Sequence, residues 1–295
     1  DTFNVDSGTD TISDLATGDI MVVSSGATAN ATNVSAFTAT GSTTNGGTAS
    51  LSSASGGSTI DMTSSASGLY TISGGAGVDI ITGGSGADII GGAGGNDVLV
   101  GGSGADAITG GADNDTLTGG ADNDTFNVDS GTDTISDLAT GDIMVVSSGA
   151  IANATGITGF NATSSTTNAG TATLTAKSTG GTIDMSSAGG SGDYTLVGGA
   201  GADTLRGDDG IDTLTIASAG EGNTDTFDGD GGSSDVIQLS TGSHILSTDS
   251  KVQNVEVIKT HSSGSTLDLT GQSEGFTVTG NAGVDTVTGG AGADN

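Results

Sequence analysis

Through the middle of the chain one apolar residue returns every nine positions: Ile81, Ile90, Leu99, Ile108, Leu117, Phe126, Ile135 and Met144. Each lies two places after an aspartate, at Asp79, Asp88, Asp97, Asp106, Asp115, Asp124, Asp133 and Asp142. Glycines and small polar residues fill most of the positions between. A period of nine keeps no stripe on a helix of ~3.6 residues per turn, and glycine at this density costs a helix ~1 kcal/mol per site. The pattern predicts a six-residue turn followed by a three-residue strand, with one inward apolar side chain per unit. Two units make one coil, and coils stack at the strand spacing of ~4.8 Å. The fold class this implies is all-β: a right-handed parallel β-helix or β-roll solenoid.

The same cadence opens the chain, with Asp1, Asp10 and Asp19 each followed two places on by Phe3, Ile12 and Met21. It returns in GGAGADTLR (Gly198–Arg206), GDDGIDTLT (Gly207–Thr215) and GNAGVDTVT (Gly280–Thr288), which bring Asp203, Asp212 and Asp285 into the series, and in GGAGADN, which brings Asp294. A longer repeat overlies this one. Asp1–Ala27 recurs without change as Asp124–Ala150, TIDM at Thr59–Met62 returns at Thr182–Met185, and TLDL stands at Thr266–Leu269. Each copy then places an aromatic four residues before a glycine: Tyr70, Tyr194 and Phe276. The chain reads as about two and a half tandem modules of a longer array.

Between the acidic stretches lie segments rich in Ser, Thr, Ala and Gly. Short strand-like runs stand out in them, at Met21–Val23, Thr48–Leu51, Ser58–Met62 and Leu69–Ser73. They are expected to form further coils that bind no metal. Asn223–Leu239 is expected to be an irregular acidic coil. Ser250–Thr260 is expected to be a strand with Lys251 and Lys259 facing solvent.

Composition sharpens this picture. The chain has 295 residues, 56 of them glycine, with no Pro, Cys or Trp and only 3% aromatics. Four residues are basic against 35 acidic, a formal net charge of -31. That balance excludes nucleic acid and anionic membrane as partners. Lack of Cys excludes disulfides and thiolate metal sites. No run is apolar enough to span a bilayer, and Asp1–Asp10 is not a signal peptide. High acidity with few aromatics is also a composition of disorder, but here the acid is regularly spaced.

The solenoid gives the spacing a reason. Units i and i+2 share a side, so the aspartates form two rows, Asp79–Asp97–Asp115–Asp133 and Asp88–Asp106–Asp124–Asp142. Carboxylates stacked this closely repel unless a cation lies between them. Ca²⁺ takes six to eight oxygens, which Asp side chains and glycine-loop carbonyls can supply, whereas Mg²⁺ prefers a smaller octahedral shell.

GGAGVDIIT (Gly74–Thr82), GGSGADAIT (Gly101–Thr109) and GGAGADTLR resemble the RTX family of nonapeptide Ca²⁺-binding repeats. The resemblance implies several Ca²⁺ ions per chain, held by Asp79, Asp88, Asp97, Asp106, Asp115, Asp124, Asp133, Asp1, Asp10, Asp203, Asp212, Asp285 and Asp294. The loop glycines Gly75, Gly77, Gly84, Gly86, Gly102, Gly104, Gly199 and Gly201 would contribute carbonyls. It also implies export by type I secretion and a place outside the cell, at a bacterial cell surface. The organisation expected is RTX-like coils over 1–26, Ser/Thr-rich β-helix coils over 27–73, an RTX β-roll over 74–149 and β-helix coils over 150–197. RTX or irregular calcium loops follow over 198–239, β-helix coils over 240–279 and a further RTX block from 280–295. Some units depart from the motif: Ala93 stands for a glycine, Asp113 and Asp122 replace the second loop glycine, and Asp142 is the weakest of the series.

RTX rolls often accompany secreted enzymes. Here there is no H-E-x-x-H, and the two histidines, His244 and His261, are expected in exposed loops. The chain is read as a non-enzyme. The function this favours is structural: an extracellular calcium-binding repeat that forms or supports a surface layer or fibre. Its partners would be further copies of itself or cell-surface polysaccharide. Mixed Ser/Thr-rich and RTX coils resemble surface-layer proteins. The alternatives are the stalk or ligand-binding region of an RTX adhesin and, less favoured, the non-catalytic part of an RTX exoenzyme.

Overall fold

The computed structural model describes residues 1–66, 68–220 and 224–295. Asn223, the first residue of the irregular acidic stretch, lies outside them. The chain divides into two compact units, Asp1–Ala152 and Asn153–Asn295. Each is a parallel β-solenoid. Among the described residues the only helical turn is a 3-10 turn at Asp249–Lys251, and no helix is long and apolar enough to cross a membrane.

In the first unit Thr2–Val5, Ile20–Val23 and Thr44–Asn45 form a small parallel sheet, and from Thr59–Asp61 to Ile143–Val146 the strands alternate between two larger parallel sheets. One runs Ala36–Thr38, Thr59–Asp61, Ile80–Ser85, Val98–Ser103, Thr116–Ala121, Thr132–Ile135. The other includes Tyr70–Ser73, Ile89–Gly94, Ala107–Ala112, Thr125–Val128 and Ile143–Val146. Register follows the nonapeptide. Ile81 lies beside Leu99 and Leu99 beside Leu117, while Ile90 lies beside Ile108 and Ile108 beside Phe126. Two units therefore make each coil, and the eight apolar residues of the series, Ile81 to Met144, are all buried. They form a thin aliphatic core, which is why so few aromatics suffice.

The strands of the roll are longer than three residues. Ile80–Ser85 pairs with Val98–Ser103 through Gly84 opposite Gly102. The glycines keep the ladder going by holding positive φ, 105° at Gly84 and 119° at Gly102. Each unit thus buries three positions: the aspartate, the apolar residue and the first glycine, as at Asp79, Ile81 and Gly83.

The second unit is built likewise. One sheet contains Thr171–Ala176, Tyr194–Val197, Thr213–Thr215, Val236–Gln238, Val257–Lys259 and Thr277–Thr279; another runs Gly159–Asn161, Thr182–Asp184, Thr204–Arg206, Thr226–Asp228, Val252–Gln253. Some of its coils are longer, with ladder partners 22 and 23 residues apart, while Tyr194 and Asp212 keep the spacing of eighteen.

Two expectations are corrected here. Ser250–Thr260 is not one strand: it turns a corner, with the 3-10 turn, then Val252–Gln253, then Asn254 at φ 53° before Val257–Lys259. Lys251 does not simply face solvent, because its Nζ donates to the Thr224 carbonyl at 2.8 Å. Nor is His244 an exposed loop residue. It sits in strand Gly242–Ile245, is 1% exposed, and its Nε2 lies 3.0 Å from the Ser240 carbonyl oxygen. Its inward register beside Leu267 places the ring where an aliphatic side chain would otherwise sit.

Candidate metal centre

The aspartates of the series point into the solenoid. Asp79, Asp88, Asp97, Asp106, Asp115, Asp124, Asp133 and Asp142 are all buried, none more than 4% exposed. Their position in the unit, one step from the turn and in phase with the apolar residue, requires this. What a buried carboxylate finds there is backbone. Asp97 Oδ1 accepts the amide of Asp79 at 2.8 Å, Asp115 that of Asp97 at 2.8 Å, and Asp133 that of Asp115 at 3.0 Å. In the other row Asp88 caps Tyr70 at 2.7 Å, Asp106 caps Asp88 at 2.7 Å, Asp124 caps Asp106 at 2.9 Å and Asp142 caps Asp124 at 2.9 Å. Each of these aspartates but Asp79, whose Oδ2 accepts the Gly75 amide of its own loop at 2.8 Å, therefore ties its coil to the one before.

One oxygen is left. Oδ2 of Asp88, Asp97, Asp106, Asp115 and Asp133, and Oδ1 of Asp79, are buried with no hydrogen-bond partner among the described residues. The first glycine of the loop packs against that oxygen. A Cβ built on Gly83 would lie 2.5 Å from Asp88 Oδ2 and 2.7 Å from the Gly101 carbonyl oxygen, and one on Gly110 would lie 2.6 Å from Asp115 Oδ2 and 2.9 Å from Asp133 Oδ2. Carboxylate and carbonyl oxygens from successive coils thus converge where a side chain has been left out. Among the described residues no three acidic or histidine side chains gather on one point, so a cation here would depend on these carbonyls. That donor set of hard oxygens suits Ca²⁺.

The electrostatics agree. Burial pushes the Asp88 carboxyl up to about 7, against the lowering effect of the Tyr70 amide, with Asp106 adding repulsion. Burial, with repulsion from neighbouring aspartates, also raises Asp97, Asp124 and Asp133 to about 6. Asp106, Asp115 and Asp142 move the same way, first through burial. A row of acids held this far from its ordinary range is poised for a positive charge.

The other sequence-named residues are placed as follows. Asp203 and Asp212 are buried, and they continue the ladder to the Gly181 amide at 2.7 Å and the Tyr194 amide at 2.8 Å. Asp285 and Asp294 are half-exposed but keep the bond, to Ser265 at 2.9 Å and Phe276 at 3.1 Å. Asp1 and Asp10 are exposed on the first coils. Gly84 and Gly86 stack under Gly102 and Gly104, and Gly75, Gly77, Gly199 and Gly201 stack on the backbone of preceding coils. The glycines beside the aspartate oxygens are instead the first of each loop: Gly74, Gly83, Gly92, Gly101, Gly110 and Gly119.

Several residues carry weight that the motif did not show. Asp142 is as buried as its row, with both oxygens used, Oδ2 taking the Ala139 amide at 2.8 Å. Asp137 accepts the Gly119 and Gly120 amides at 2.9 and 2.8 Å. Asp225 and Asp235 are buried in the irregular stretch and cap Asp203 and Asp212. Asp113 and Asp122 occupy positive φ, 76° and 82°, exposed, each accepting a loop amide eighteen residues back. The three aromatics of the long repeat stand in the aspartate rows, one coil before Asp88, Asp212 and Asp294. An aromatic repeated four residues before a glycine is the signal in the sequence; its place in the row is not.

One G-x-S-x-G string, Gly271–Gly275, bears on the reading as a non-enzyme. Ser273 lies in coil between strands Ser265–Asp268 and Thr277–Thr279, not on a strand-to-helix turn. Its Oγ donates to Asp249 Oδ1 at 2.9 Å, and its amide donates to the same oxygen at 2.7 Å. A carboxylate, not a histidine, faces this hydroxyl.

The calcium-binding RTX nonapeptide repeat family matches the chain in four copies, over residues 71–99, 100–135, 187–214 and 277–295. The chain carries RTX calcium-binding repeats on a parallel β-solenoid. Its repeats are calcium-binding, so its cofactor is Ca²⁺ in several copies. All the buried aspartates from Asp79 to Asp133 fall within the first two RTX segments. No curated protein and no solved structure matches the chain.

Proposed function

We propose that this RTX protein is a structural, non-catalytic element of an extracellular surface layer or fibre, whose coils are locked by Ca²⁺. The observation that carries the reading is the pair of aspartate rows, in which Asp79, Asp88, Asp97, Asp106, Asp115 and Asp133 each have one oxygen bound to backbone and the other buried with no hydrogen-bond partner among the described residues. In this reading Asp79, Asp88, Asp97, Asp106, Asp115, Asp124 and Asp133 hold the ions with the carbonyls of loop glycines. Asp203, Asp212, Asp285 and Asp294 do the same in the second unit. Ca²⁺ supplies the charge that lets the rows ionise while buried. The protein's own residues do the rest: they cap amides, exclude water and fix the coil register. Export to a calcium-rich exterior gives such a fold its trigger, which is why the reading places it outside the cell.

Self-association is supported by the outer face. Ile80 and Val98 lie side by side in register and are 49% and 39% exposed, with Val78 at 59%. An exposed apolar patch on so acidic a chain marks a contact surface. Light scattering of the purified chain in millimolar Ca²⁺ tests this. Ordered assemblies that dissolve on chelation are expected; a persistent monomer that never coats cells contradicts it. Replacing Asp97 and Asp106 by Ala tests the ligands. Calcium uptake falls by about one or two ions if they bind, since each Asp serves one or two sites. Unchanged uptake removes them from the ligand set.

A further inference from the structure

One position of the repeat carries a side chain that neither the core nor a cation uses. The residue just before the aspartate is alanine at Ala87, Ala105, Ala202 and Ala293, and asparagine at Asn96, Asn114 and Asn123. In three units it is a branched aliphatic: Val78, Ile211 and Val284. One follows each of the strings Thr59–Met62, Thr182–Met185 and Thr266–Leu269, so the feature recurs with the long repeat and not with the short one. All three are exposed. Val78 and Ile211 remain 59% and 52% exposed although the strands that follow them, at Ile80 and Thr213, are paired on both sides.

Each aliphatic stands at the rim of a shallow recess. Val78 and Ile80 border one of about 280 Å³, with Ser35, Gly56 and Gly57 of the preceding coils. Ile211 borders a second of about 330 Å³ with Gly170 and Thr171, and Val284 a third of about 170 Å³ with Gly242 and Gly264. Gly57 and Gly264 stack on the backbone of Val78 and Val284 where no Cβ fits, so no side chain at those positions covers the aliphatic. At Ile211 the residue there is Asp193, whose Oδ1 accepts the Ile211 amide at 2.9 Å.

The charge of these recesses sets them apart. The chain has 35 acidic residues, yet none of the described residues lining the recesses at Val78 and Val284 is charged, and the one at Ile211 has Asp193 alone. Two copies of so acidic a chain repel over most of their surface, and they meet best where no carboxylate is brought against another. A charged partner finds little to pair with here. The patch also carries both parts of a joint, a projecting side chain and a recess beside it. A two-fold contact between identical surfaces requires that self-complementarity.

We propose that Val78, Ile211 and Val284 are the knobs of a contact between copies of this chain, each seated in the recess beside its counterpart on the second copy. The proposal rests on the assembly reading and deepens it. It makes the contact apolar, in place of a Ca²⁺ bridge between exposed carboxylates, and sets its spacing by the long repeat.

The test uses the full chain in saturating Ca²⁺. The triple variant Val78→Asn, Ile211→Asn, Val284→Asn carries at these positions the residue that the repeat itself has at Asn96 and Asn114. Its ion count by equilibrium dialysis and its far-UV circular dichroism are expected to match the parent's, while sedimentation shows monomer where the parent assembles. The alanine triple variant, with the residue of Ala87 and Ala105, gives the same readout. Val78→Ile with Ile211→Val keeps the aliphatics and keeps the assembly. Added NaCl screens the repulsion between acidic copies and is expected to strengthen the parent's assembly. Triple variants that assemble as the parent does overturn the proposal alone. So does a parent assembly that dissolves in NaCl, the behaviour of carboxylates bridged by Ca²⁺. A parent that stays monomeric overturns the assembly reading and the proposal together, and its retention on an uncharged glucan, lost in the triple variants, would give the recesses to a sugar.

Discussion

Asp88, Asp97, Asp106, Asp115 and Asp133 each do two jobs with two oxygens. One oxygen replaces the hydrogen bond that a turn would deny the neighbouring amide, as Asp97 does for Asp79. The other is left for a cation. Without the cation the second job becomes a liability, and its pH dependence is predictable. In the calcium-free fold Asp88 and Asp212 titrate near about 7, and Asp97, Asp124, Asp133 and Asp235 near about 6, in every case chiefly because burial disfavours the charge. The unfolded chain has carboxyls near the ordinary ~3.9. Folded values above unfolded ones mean that the folded state holds extra protons between the two. Protonation therefore stabilises the fold fully below about pH 4, and that stability is lost as pH rises through about 6 to 7. Thermal unfolding in chelator is expected to show a higher midpoint at about pH 5 than at about pH 8, and the order to reverse with saturating Ca²⁺, which needs ionised ligands. Identical pH curves with and without Ca²⁺ would contradict the assignment of these carboxylates.

At the scale of the strand and loop, the glycines that matter most are those with no room for a side chain. A Cβ at Gly83 would press on both Asp88 Oδ2 and the Gly101 carbonyl oxygen, so Gly83→Ala must displace an oxygen of the site or the coil below. A loss of about 1–3 kcal/mol is expected, as for overpacking elsewhere, together with weaker calcium binding. Gly94→Ala, with open space around it, should leave calcium binding unchanged; equal effects at both would mean the first glycine is not part of the cradle. Much of this element was legible beforehand. The nine-residue phase of Asp97 and Leu99 alone set strand, register and inward face. The phase did not show which glycine meets the carboxylate, because all glycines look alike in sequence and only the path of the loop separates Gly83 from Gly84. The phase put Asp142 in its row but did not show its second bond, to the Ala139 amide, and it did not reveal Asp137, which accepts the Gly119 and Gly120 amides where the motif has been lost. His244 was misplaced for a related reason: a polar residue in a Ser/Thr-rich stretch reads as exposed, yet its register beside Leu267 turns it inward.

At the scale of the chain, the charge of -31 is the ground on which the proposed reading makes folding depend on calcium. Most of the buried acid lies in rows whose members repel one another, and the core is thin, so in this reading calcium supplies a large share of the stability. Binding to the folded state alone then makes folding depend on the ion by mass action. The most direct test is far-UV circular dichroism of the purified chain titrated with Ca²⁺ from a chelated start. A β signal that is weak in chelator and grows cooperatively with Ca²⁺ is the predicted result. A full β signal in excess chelator, unmoved by added Ca²⁺, would contradict the account.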